Sequence, residues 1–72
     1  MSPDKLVYMA NQIGKFFAHK SDEEAIAGIA EHLKSFWEKR MLAEIYGYLD
    51  AGGKGLDDRP SRALQQLRQA AE

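Results

Sequence analysis

From Ile26 to Trp37 the apolar residues fall at Ile26, Ile29, Ala30, Leu33, Phe36 and Trp37. That three- and four-residue spacing sets them on one face of an α-helix. The same period runs through Leu6, Met9, Ala10, Ile13, Phe16 and Phe17, through Met41, Leu42, Ile45, Tyr48 and Leu49, and through Ala63, Leu64, Leu67, Ala70 and Ala71. No stretch alternates with the two-residue period of a strand. A chain patterned this way buries its stripes only by packing helix on helix. The expected fold is therefore all-α, a small bundle of three to four short helices, with residues 1–72 as a single domain.

Local signals mark where the helices start and stop. Ser2 can cap the first helix, Pro3 suits its first position, and Asp4 sits at the positive end of its dipole. That helix is expected to end near Ala18 or His19, with Gly14 as a mild flaw inside it. Ser21-Asp22-Glu23-Glu24 is a capping box, in which the serine hydroxyl and the Glu24 carboxylate each serve the other residue's N–H. The helix it opens should reach Phe36 or Trp37. The third helix carries Gly47 and stops at Asp50-Ala51-Gly52-Gly53-Lys54-Gly55, where glycines can take the left-handed conformation; this stretch reads as a mobile polar turn. Asp57 or Asp58 can cap a last helix with Pro60 in its first turn. The apolar face of that helix is shallow, and its final turn is expected to fray.

At 72 residues the core is thin, because a chain of this size buries only about 60 % of its unfolded surface. Small domains usually gain support from disulfides, a metal or a partner. The absence of cysteine removes disulfides, thiol catalysis and cysteine metal sites, and leaves a partner as the open route. Net charge is −1, which does not suit a non-specific nucleic-acid binder. The first twenty residues lean basic and residues 21–38 lean acidic, a pattern more typical of solvated helix faces than of a charged docking patch. Asp4 and Lys5 interrupt any secretory signal, and no apolar run nears the ~20 residues that span a bilayer. No membrane partner is expected, and the lack of cysteine is compatible with a cytosol.

The candidate chemical constellations are weak. Lys54 follows a glycine pair, but a phosphate loop needs a strand before it and a Ser or Thr after the lysine; here a helix precedes and Gly55 follows. His19 and His32 lie on different elements without a third ligand, so no metal site is expected. His32, at the edge of the apolar stripe, reads as a structural or interface residue rather than a catalytic one. Nothing in the spacing of Ser35, His32 and Asp22 supports a triad. Lys34, Lys39 and Arg40 are interleaved with Glu31, Glu38 and Glu44, which cancels a nucleic-acid field. The aromatics are more informative. Phe16 and Phe17 cannot both point inward, nor can Phe36 and Trp37. One of each pair packs in the core while the other sits outward or at a corner. An outward aromatic beside Arg40 has the composition of an interface anchor. Core packing and partner docking stand level as readings of these residues. From the residues alone the chain is a protein-binding helical domain, with a free-standing or DNA-associated regulator as the alternative.

Three blocks extend this reading. They are Met9-Ala10-Asn11-Gln12-Ile13 with Phe16-Phe17; Gly28-Ile29-Ala30-x-His32-Leu33-x-x-Phe36-Trp37-x-x-Arg40-Met41; and Leu49-Asp50-Ala51-Gly52-Gly53-x-Gly55-Leu56. In order and spacing the chain resembles the delta subunit of the soluble, NAD-dependent, molybdenum-containing formate dehydrogenases. Lys39 departs from the proline associated with the family at that corner, and a lysine would permit a more helical corner. The resemblance implies a non-catalytic accessory subunit of a cytoplasmic complex that oxidises formate to carbon dioxide and reduces NAD. It implies docking on the alpha subunit, which holds bis-molybdopterin guanine dinucleotide and iron–sulfur clusters, alongside beta and gamma subunits with FMN and further clusters. The implied role is cofactor insertion or stabilisation of the complex. No cofactor is expected on this chain itself, and no catalytic residue. The candidate partner-binding positions are His32, Phe36, Trp37, Arg40 and Met41 of the middle block and Asn11 of the first.

Overall fold

The computed structural model describes residues 2–71 and shows four helices: α1 (Pro3–Phe16), α2 (Asp22–Phe36), α3 (Lys39–Asp50) and α4 (Asp58–Ala71). No strand occurs among the described residues. The Cα radius of gyration is 10.9 Å, close to the ~11 Å expected when 72 residues share one core. That core is formed by Leu6, Ala10 and Ile13 of α1, Ile26, Ile29 and Leu33 of α2, Ile45 of α3 and Ala63 and Leu64 of α4, with Trp37 at the α2–α3 corner. The most extensive helix contact is α2 with α4, while α1 touches all three others.

The two serine caps form as the sequence suggests. The Ser2 hydroxyl accepts from the Lys5 N–H, and the Ser21 hydroxyl accepts from the Glu24 N–H at 3.2 Å while donating to the Glu24 carboxylate at 3.1 Å. α1 stops at Phe16, short of Ala18, for a tertiary reason. Arg59 of α4 reaches across and donates from Nη1 to the Phe17 carbonyl and from Nη2 to the Lys20 carbonyl, both at 3.0 Å. Its Nε also donates to the Asp22 carboxylate at 2.9 Å. One guanidinium thus takes up carbonyls that a longer α1 would have kept to itself, and fixes the turn into α2.

Two expectations about the connections are corrected. At the α2–α3 corner Trp37 and Glu38 are both extended, with ψ of 136° and 155°, so the break is sharp despite Lys39. The glycine-rich turn is tied down on several sides. Gly52, Gly53 and Gly55 have positive φ, and the Gly53 N–H donates to the Tyr48 carbonyl. The Tyr48 hydroxyl donates to the Lys54 carbonyl, and Asn11 bonds Gly55 and Asp57. A turn anchored to α3 at one end and α1 at the other is a fixed bridge into α4. The expected fraying of the last turn concerns Ala71 and Glu72, whose side chains lie outside the described residues.

Two close approaches set the helix packing. Gly28 lies under the Phe17 ring, where any Cβ would collide, and a Cβ on Gly14 would come within 2.8 Å of the Pro60 ring. Glycine therefore lets α1 approach α2 at one point and α4 at the other.

Candidate docking site

The flank of the bundle between α1 and α2 carries most of the exposed aromatic surface. Phe36 and Trp37 are successive residues about 100° apart around a helix, so one must leave the core when the other enters it. Trp37 enters and is 7 % exposed; Phe36 stays out at 73 %. The same division separates the first pair: Phe17 covers Gly28, and Phe16 is 79 % exposed. Tyr8, 66 % exposed, precedes Gln12 and Phe16 by one and two turns on the same side of α1.

Tyr8, Gln12, Phe36 and Trp37 border an open groove of about 480 Å³, whose lining does not include Phe16. Tyr8, Met9, Gln12 and Ile13 form the α1 wall, and His32 and Phe36 the α2 wall; Trp37 and Met41 close the corner end. The His32 ring lies 4.7 Å from the Phe36 ring, centroid to centroid, tilted by 35°. This one-turn contact holds Phe36 against the groove mouth.

The structure brings together four of the six sequence candidates: His32, Phe36, Trp37 and Met41. Trp37 serves as buried floor and Met41 is half-buried, whereas His32 and Phe36 are exposed. Arg40 is exposed beside the corner and does not line the groove. Asn11 has its polar atoms engaged elsewhere: its Nδ2 donates to the Gly55 carbonyl and its Oδ1 accepts from the Asp57 N–H, each at 2.9 Å. The α1 wall was missed in the sequence. Its signal was Tyr8, an aromatic standing off the Leu6–Ala10–Ile13 stripe, with Gln12 one turn on.

Outside the groove the charged groups serve structure. Asp22 pairs with Arg59 and approaches Arg62, and Arg62 also pairs with Asp58 one turn away. Asp50 receives a two-pronged contact from Arg68, one arm at 2.7 Å. The Arg68 bond lowers the Asp50 carboxyl below its ordinary pKa, while burial raises the Tyr46 hydroxyl against the opposing charge of Arg68. Ser35 bonds Glu31, and His19 lies on the α1–α2 turn away from His32. Among the described residues no polar or charged side chain is buried, and no group of three or more His, Asp or Glu is placed to hold a metal. None of the described helices is long and apolar enough to cross a membrane.

Together these features describe a small all-α chain whose most distinctive surface is an aromatic-lined groove. Residues 5–64 match the family model described as NADH-dependant formate dehydrogenase delta subunit FdsD, and the chain belongs to that family. No curated protein and no solved structure gives a match.

Proposed function

We propose that this chain is a non-catalytic accessory subunit of a cytoplasmic, NAD-dependent formate dehydrogenase complex. It docks on the molybdenum-containing alpha subunit, in a complex with beta and gamma subunits, and supports cofactor insertion or the stability of the assembly. The observation that carries this reading is the exposed aromatic groove on a chain of the delta-subunit family. Tyr8, Phe16 and Phe36 present apolar area to solvent on a molecule too small to waste it, and exposed patches of this kind mark partner sites.

In this proposal the redox groups belong to the other subunits. The donor chemistry here does not fit an iron–sulfur cluster, because the chain has no cysteine thiolate to offer. A DNA-associated role gains no support from the surface, since three of the four arginines are paired with Asp22, Asp58 and Asp50.

The test is deletion of the gene with measurement of the alpha subunit left behind. Formate-dependent NAD reduction should fall. If alpha-subunit abundance falls with it, the chain stabilises the complex. If abundance holds while molybdenum content per alpha subunit falls, the chain assists insertion. Unchanged activity, abundance and metal content would refute the proposal, as would failure of the tagged chain to co-purify with the alpha subunit.

A further inference from the structure

We propose that the first turn of α4 is a clamp that sets the angle between α1 and α2, with Arg59 as its positioning residue. The width of the groove between Tyr8 and Phe36 is then governed from a part of the fold that does not line it. The proposal concerns the geometry of the groove and is independent of the accessory-subunit reading.

α1 and α2 form a hairpin whose closed end is the turn at residues 17–21 and whose open end carries the groove. The turn does little to hold itself. Among the described residues, the Ala18 and Lys20 carbonyls take no backbone donor, and the Phe17 carbonyl takes one, from the Lys20 N–H. Arg59 supplies the rest. Its Nη1 donates to the Phe17 carbonyl at 3.0 Å and to the Ala18 carbonyl at 3.4 Å, and its Nη2 to the Lys20 carbonyl at 3.0 Å. Its Nε bonds Asp22, the first residue of α2. The end of α1, the turn and the start of α2 therefore meet on one guanidinium that belongs to another helix. A planar fork with donors on three nitrogens holds four acceptors at fixed angles, which a lysine ammonium in its place could not do.

The neighbours of Arg59 fix α4 to α1. Pro60 is buried against Gly14, so close that a Cβ on that glycine would come within 2.8 Å of its ring, and the Asp57 N–H donates to Asn11. α2 packs on α4 more extensively than on any other helix, and its direct contact with α1 is much smaller. α1 and α2 are thus aligned mainly through a common support, and rigid helices carry that alignment to their far ends. α2 is 15 residues long, or about 21 Å from its first Cα to its last. A change of about 6° at the clamped end therefore moves the Phe36 end by about 2 Å, which matters to a groove bounded by single aromatic side chains. Arg62, three residues on, provides a contrast. It pairs with Asp58 and lies 3.8 Å from Asp22, but it bonds none of the turn carbonyls.

The test uses the full chain carrying Tyr8→Cys and Phe36→Cys, each spin-labelled; no native cysteine competes for the label. Pulsed electron spin resonance reads the distance across the groove. Amide hydrogen exchange reads the turn through the N–H groups of Ala18, Lys20 and Glu24. Arg59→Met keeps the apolar stem and removes every donor. The expected result is exchange at those amides faster by about tenfold or more, the scale of one lost charge-assisted bond, together with a broadened or shifted distance distribution. Arg62→Gln should change neither. Asp22→Ala removes one of the four acceptors; it should produce both effects in smaller measure and keeps the test decisive if Arg59→Met does not fold. Faster exchange with an unaltered distance overturns the proposal, because the clamp then holds the turn alone. Unaltered exchange overturns it as well. So does an equal broadening from Arg62→Gln, which would make the effect a general loosening of α4.

Discussion

Asn11 offers the sharpest test of how this fold is held. Asn11→Ala removes two hydrogen bonds of 2.9 Å, to the Gly55 carbonyl and from the Asp57 N–H. Neutral bonds of this geometry contribute about 1 kcal/mol each, for a loss of about 2 kcal/mol. Alanine is the better helix former by roughly 0.6 kcal/mol, which offsets part of it. The expected net cost is about 1.5 kcal/mol. For 72 residues the whole fold is worth roughly 4–11 kcal/mol, so Tm should fall by about 6–12 °C. Trp37 is the only tryptophan and is buried, so its fluorescence in a urea titration reports the loss directly. The midpoint should drop at an unchanged slope. Asn11→Asp sharpens the point. It keeps the acceptor for Asp57 but sets a carboxylate oxygen against the Gly55 carbonyl. Protonation restores a donor there, which raises the folded-state pKa above the unfolded ~3.9. The variant's deficit should therefore be small at low pH and grow as pH rises past that unfolded value. An Asn11→Ala protein with wild-type stability and lost partner binding would refute the reasoning and return Asn11 to the docking surface.

Other perturbations test separate links. Trp37→Ala should cost about 3–5 kcal/mol, because it empties the floor beneath the α2–α3 corner, and circular dichroism would show a domain near the edge of folding. Arg40→Ala should leave the melting curve near wild type and, if the corner borders the interface, lower recovery of the alpha subunit in a pull-down. Gly28→Ala sets a Cβ into the Phe17 ring and should destabilise by about 1–3 kcal/mol less the helix-propensity gain, with thermal melts as the readout. Asp50 titrates below its ordinary value because of Arg68. Its stabilisation should therefore be present above the unfolded carboxyl pKa and lost as pH falls through the folded one. Asp50→Asn should flatten that acid limb in pH-dependent urea melts.

The helix period, Ser2 and Ser21 as caps, and the stop at the glycine turn were all legible in the sequence, because each depends on residues within one or two turns. The rule that Phe16 and Phe17, or Phe36 and Trp37, must divide between core and surface was legible for the same reason. Which member of each pair goes inward was not. Phe17 turns inward because Gly28 opens a slot for its ring, and Trp37 because α2 ends there and drops it onto the core. The bonds of Asn11 cross 44 and 46 residues, and those of Arg59 reach back as far as 42, so no local pattern announces them. The sequence by itself determined a bundle of three to four amphipathic helices and the family, since helical periodicity is a local property of the chain. Only the tertiary structure decided that Tyr8 and Gln12 would face His32 and Phe36 across an uncovered groove. That surface exists only where two helices, distant in sequence, pack side by side and leave their outer flanks bare.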